Sequence, residues 1–151
     1  MTTFKTVDEL KAAVGLELGP GPWLDIDQER VNRFAEVTGD AQWLHVDPER
    51  ARAESPFGGT VAHGFLTLSL LSALLMELLT VEEAGSIVNY GFNRVRLPAP
   101  VLVGSRLRLW LRVAEVTVVA GGVQVSFAVT LENDRQERPA CAAELLFRYY
   151  R

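Results

Sequence analysis

The chain has 151 residues, 48% of them hydrophobic, and a formal net charge of −4 with acidic and basic residues interspersed. That length fits a single domain over residues 1–151 that needs no disulfide or metal to be stable, and one cysteine, Cys141, excludes an intramolecular disulfide framework. No basic patch predicts a nucleic-acid partner, Met1 to Lys5 lack a signal pattern, and the apolar run Phe65 to Met76 falls short of the ~20 residues that span a bilayer, so a cytoplasmic protein without a membrane or nucleic-acid partner is expected.

Asp8 to Val14 reads as a short helix, followed by loop signals at Gly15 and Gly19-Pro20-Gly21-Pro22. Trp23 to Ile26 is extended. Asp27 then caps a helix with Glu29 in its first turn; Val31, Phe34, Ala35 and Thr38 repeat at helical spacing, and Gly39 ends it. Asp40 to Thr60 is read as irregular, apart from one helical turn signalled by Asp47 before Pro48. His63 to Leu79 is a helix apolar nearly all round, which predicts burial on most sides. From there the period changes to two. Ile87 to Leu97 is a strand ended by Pro98 and Pro100. Leu107 to Val113, Val123 to Leu131 and Cys141 to Tyr149 alternate apolar with polar or small residues, with turn signals at Gly121-Gly122 and Asn133-Asp134. The expected fold class is α+β: an antiparallel sheet wrapped around one long buried helix.

Chemistry is concentrated in two short stretches. Both histidines of the chain lie there. Asp40 follows the helix-stopping Gly39, and His45 comes five residues later; His63-Gly64 opens the apolar helix. A carboxylate and an imidazole on one loop can position and deprotonate a water. Gly64, in a first helical turn, offers a free backbone N–H with no side chain to block approach. Such an N–H can hold the charge that builds on a carbonyl oxygen. His63 is read as orienting the loop or contacting substrate. No metal is expected, because His45 and Asp47 offer only two ligands, with no cysteine cluster and no histidine pair at helical spacing. Phosphate-cradling glycine loops and a Gly-x-Ser-x-Gly elbow are also absent.

These residues resemble the signature of the MaoC-like dehydratases, the (R)-specific enoyl-CoA hydratases. In that signature an aromatic residue precedes Gly-Asp, a histidine follows the aspartate by five, and a small residue follows the histidine by six. Here the positions are Phe34, Gly39-Asp40, His45 and Ala51, with His63-Gly64 after them. The resemblance covers roughly residues 25–150 and implies a hot-dog fold, a homodimer, and an acyl-CoA or acyl-carrier-protein thioester as substrate, with no cofactor. It implies catalysis by Asp40 and His45. It assigns Gly64 as oxyanion donor and the run Thr60, Val61, Ala62 and His63 to the thioester end of the cleft. Asn89, Leu97, Pro98 and Ala99 are expected along the channel for the pantetheine arm. Gln124 is a candidate substrate contact, and Arg94 and Arg96 are candidates for phosphate. The family commonly has Asn-Pro where this chain has Gln42-Trp43, a feature similar to the nodulation protein N-like branch. That leaves open whether Trp43 shapes the acyl pocket or packs on its loop. A hot-dog thioesterase and a non-catalytic thioester-binding protein remain as alternatives.

Overall fold

The computed structural model describes residues 1–151. Its centre is an antiparallel sheet of six strands. Four long ones carry it: β5 (Ser86–Arg96), β6 (Ser105–Val119), β7 (Gly122–Asn133) and β8 (Gln136–Tyr150). Two short ones, β2 (Glu17–Leu18) and β3 (Leu24–Ile26), pair with β6, giving the order β2-β6-β7-β8-β5 with β3 also on β6. The period-two residues define its faces. Val123, Val125, Phe127, Val129 and Leu131 of β7 point into the core, and Leu107, Leu109, Leu111 and Val113 of β6 and Leu145, Phe147 and Tyr149 of β8 join them. Gly122 is required where β7 begins, because a Cβ there would lie 1.9 Å from the Tyr149 carbonyl oxygen.

The long helix α4 (Gly64–Leu78) lies against that face, burying Leu66, Leu70, Leu71, Leu74, Leu75 and Leu78. Burial on most sides does not hold within one chain: Phe65 is 75% exposed and Met76 48%, on a stripe that continues through Ser69 and Ala73. A curved sheet covers one side of a helix, and nothing else in this chain reaches the other side. The helix runs directly into β4 (Leu79–Val81), which pairs in parallel with β1 (Thr2–Phe4). Between them the chain forms a 3₁₀ helix, Val7–Ala13, capped by the Thr6 side chain, where an ordinary short helix is expected from the sequence.

The site-bearing segment is more regular than its sequence suggests. Helix α1 (Gln28–Thr38) starts at Asp27, whose carboxylate accepts from the Arg30 N–H at 2.8 Å. It ends at Gly39, in the left-handed conformation at φ 80°, whose N–H donates to the Ala35 carbonyl. The expected irregular stretch after it holds two helices, α2 (Trp43–Val46) and α3 (Pro48–Glu54), the second capped by Asp47. Helix α2 is one turn long and has no side-chain cap, so it left no signal in the sequence. No helix is long and apolar enough to cross a membrane.

Candidate active site

The loop after α1, helix α2 and the segment leading into α4 converge on one point. His45 Nδ1 lies 2.7 Å from the Val61 carbonyl oxygen. A carbonyl only accepts, so Nδ1 carries the proton and Nε2 of a neutral ring keeps its lone pair. The ring of His45 stacks on that of His63, with centroids 3.8 Å apart and planes inclined by 25°. Phe34 of α1 packs against His63 at 4.9 Å, so the aromatic residue of the motif closes the stack. His63 is 2% exposed, and its Nε2–H donates to the main-chain carbonyl of Asp40 at 2.9 Å. Its Nδ1 is buried without a protein partner. Asp40 itself is exposed, held just beyond the left-handed Gly39. Ala51, the small residue of the motif, is completely buried.

Asp40, His45 and His63 thus bring one potential ligand atom each to within 4.8 Å of one another, a trio that linear spacing did not reveal. The arrangement suits a water and a proton better than an ion. A metal must lie in the plane of each imidazole, about 2.0–2.1 Å from its nitrogen. Planes stacked at 3.8 Å and inclined by only 25° run alongside each other at that distance and do not meet.

The expected substrate-contact residues divide. Ala62, Gly64, Leu97 and Ala99 come together around a cavity of about 260 Å³, lined also by Thr67 and Val101. Leu97 presses on the helix start: a Cβ on Gly64 would lie 2.7 Å from its Cδ1. Pro98 sits between Leu97 and Ala99 on the connection after β5 and does not line that cavity. Val61 contributes its carbonyl to His45 rather than a side-chain contact. Thr60 is buried, and its hydroxyl donates to Gln28 Oε1 at 2.6 Å.

Gln124 and Asn89 are not brought to the cluster. Gln124 occupies the β7 face opposite α4 and accepts from Arg148 Nε at 2.9 Å. Even-numbered residues of that strand all face away from the helix, so its register decided the matter. Asn89 is exposed on the edge strand β5. Arg94 and Arg96 line a groove of about 870 Å³ on the outer sheet face with Arg112, Glu115 and Glu144, not the histidine cluster. Trp43 packs under the guanidinium of Arg50, 4.4 Å from its ring centroid, so it braces α2 on α3.

Sequence reasoning missed Gln28. Its side-chain amide donates to the His45 carbonyl at 2.7 Å and to Asn32 Oδ1 at 2.9 Å while accepting from Thr60. A glutamine in a first helical turn carries no signal of that kind, because all but one of its partners are remote in sequence.

The fold and this site define a hot-dog domain with a carboxylate and an imidazole at the mouth of its central helix. The family model described as "MaoC like domain" matches residues 9–134. The chain belongs to that family. It is 49% identical over 150 residues to the 3-hydroxyacyl-thioester dehydratase Z of Mycobacterium tuberculosis, covering 99% of both chains. It is 43% identical over 137 residues to nodulation protein N of Rhizobium leguminosarum bv. viciae, covering 89% of this chain and 85% of that one. Among solved structures, an unliganded R-hydratase from Pseudomonas aeruginosa superposes with a TM-score of 0.74 at 24% identity, over 91% of this chain and 81% of that one.

Proposed function

We propose that the protein is a hydro-lyase that adds water reversibly to trans-2-enoyl thioesters, giving (R)-3-hydroxyacyl thioesters. One observation carries this reading: the Nδ1–H of His45 is tied to the Val61 carbonyl, which leaves Nε2 as a base beside Asp40. In the hydration direction, the water oxygen bonds to the β-carbon as its proton passes to the Asp40–His45 pair. The π pair of the double bond moves onto the thioester carbonyl oxygen. The N–H of Gly64, first residue of α4, stabilises that charge, aided by the helix dipole. The α-carbon then takes a proton from the same pair, so the pair ends as it began. Dehydration is the reverse. The relative named a 3-hydroxyacyl-thioester dehydratase, at 49% identity, supports the reaction class.

The substrate is an acyl-CoA or acyl-carrier-protein thioester, with its thioester end at Ala62 and Gly64 and its pantetheine arm running past Leu97 and Ala99. The working unit is a homodimer. Its support is the free outer edge of β5, with exposed Ile87, Val88 and Tyr90, together with the uncovered stripe of α4 at Phe65 and Met76.

The test is loss of enoyl absorbance over a series of enoyl-CoAs of increasing length, with chiral analysis of the product. Turnover to the (R)-alcohol is expected. Release of free thiol from a saturated acyl-CoA would instead make this a thioesterase, and binding without turnover a thioester-binding protein. Light scattering on the purified protein checks the dimer.

A further inference from the structure

The amide of Gln28 closes a ring of hydrogen bonds around His45. Its Nε2 donates to the His45 carbonyl at 2.7 Å, and its Oε1 accepts from the Thr60 hydroxyl at 2.6 Å. Thr60 is joined by one peptide bond to Val61, whose carbonyl accepts from His45 Nδ1 at 2.7 Å. The chain therefore returns to the residue from which it started. A second link lies inside the ring, from the Val61 N–H to the Leu44 carbonyl at 3.1 Å. The segment carrying Thr60 and Val61 is itself fixed to the stretch after β5. Ala62 N–H donates to the Val101 carbonyl at 2.8 Å and Val103 N–H to the Thr60 carbonyl at 2.9 Å.

This ring controls a geometric quantity that matters. The direction of the His45 lone pair depends on where the Val61 carbonyl stands relative to the His45 backbone. Gln28 sets that separation, because it holds both ends from one rigid position in the first turn of α1. Its own freedom is spent: both amide hydrogens are donated, the second to Asn32 Oδ1 at 2.9 Å, and the amide oxygen accepts. Glutamate cannot substitute. A carboxylate would still accept from Thr60 but would face the His45 carbonyl and Asn32 Oδ1 with no hydrogen to give.

We infer that Gln28 is a positioning residue of the catalytic site, acting through Thr60 and Val61 to aim the imidazole of His45. This rests on the hydratase reading only for what the aim accomplishes; the aim itself has its own readout.

The experiment compares Gln28→Met, Gln28→Glu, Thr60→Val and Thr60→Ser in the full chain. Gln28→Met is expected to lower kcat about tenfold while KM stays within about twofold, since displacements of about 1 Å cost up to about 10²-fold. Gln28→Glu and Thr60→Val should do the same, and Thr60→Ser, which keeps the hydroxyl, should recover what Thr60→Val loses. In a His45→Gln background, Gln28→Met should lower kcat no further, because the residue it aims is gone. Imidazole nitrogen NMR reads the aim without activity: the His45 Nδ1–H should exchange with solvent faster in Gln28→Met and Thr60→Val than in the parent and Thr60→Ser. Equal kcat losses with and without His45, or an Nδ1–H as protected in Gln28→Met as in the parent, overturns the proposal. If the parent turns over no enoyl thioester, the hydratase reading fails, and the NMR comparison alone decides the role of Gln28.

Discussion

The imidazoles of His45 and His63 lie face to face at 3.8 Å, although seventeen residues of chain separate them. One ring is fixed by a carbonyl from the segment that leads into α4; the other reaches back to the carbonyl of Asp40. Each histidine thus anchors a part of the chain that carries the other half of the site. His63 need not touch the substrate to matter, because it holds the Asp40 main chain and the plane of His45 at once.

That role can be separated into its two contacts. His63→Phe keeps a flat ring between Phe34 and His45 but removes the N–H donated to Asp40. It should fold and lose about tenfold in kcat, in line with the cost of small displacements. His63→Ala also empties the stack and should cost about 3–5 kcal/mol in urea unfolding, the range for truncating a buried ring. A His63→Phe protein with the parent's kcat would limit His63 to packing.

For the acid–base pair, Asp40→Asn preserves size and His45→Gln preserves polarity. Each should lower hydration by about 10²–10⁴-fold, the usual range for such catalysis. The double variant should lose less than the product of the two, since both residues serve one water. Turnover of a short enoyl-CoA measures this, with circular dichroism to establish folding. A folded Asp40→Asn protein with near-parental turnover would rule out the mechanism above.

Gly64 has a packing constraint as well as a chemical one. Its added Cβ would meet only the end of the Leu97 side chain, 2.7 Å away, and Leu97 is half-exposed and can turn aside. Gly64→Ala should therefore melt within a few degrees of the parent yet lose about 10²-fold in kcat, because the methyl stands beside the N–H proposed to receive the carbonyl. Adding Leu97→Ala relieves the contact without removing the methyl. Recovery of activity in that double variant would show that the glycine serves packing and not approach of the thioester.

Cys141 is fully buried in β8, and burial pushes its thiol up to about 11. Thiolate is the reacting form, so the folded protein should resist iodoacetamide at pH 8 for hours and label rapidly once unfolded in guanidinium. Mass spectrometry of the labelled chain reads both states. Fast labelling of the native protein would contradict the packing of β8 against the core.

The sequence by itself determined whatever depends on neighbours along the chain. Asp27 and Gly39 bound α1 through local caps, alternation at Val123 to Leu131 set which face of β7 meets the core, and the Asp40–His45 spacing marked the pair proposed for acid–base chemistry. Tertiary structure alone decided what depends on groups remote in the chain. It brought His63 onto His45 and closed Gln28 and Thr60 into a ring around that histidine. Caps and periodicity are written in bonds spanning a few residues, whereas a hydrogen bond between residues 28 and 60 exists only after α1 and the α4 entry have packed. No local pattern can encode such a bond, because neither partner differs in its own surroundings from an ordinary helix glutamine or loop threonine.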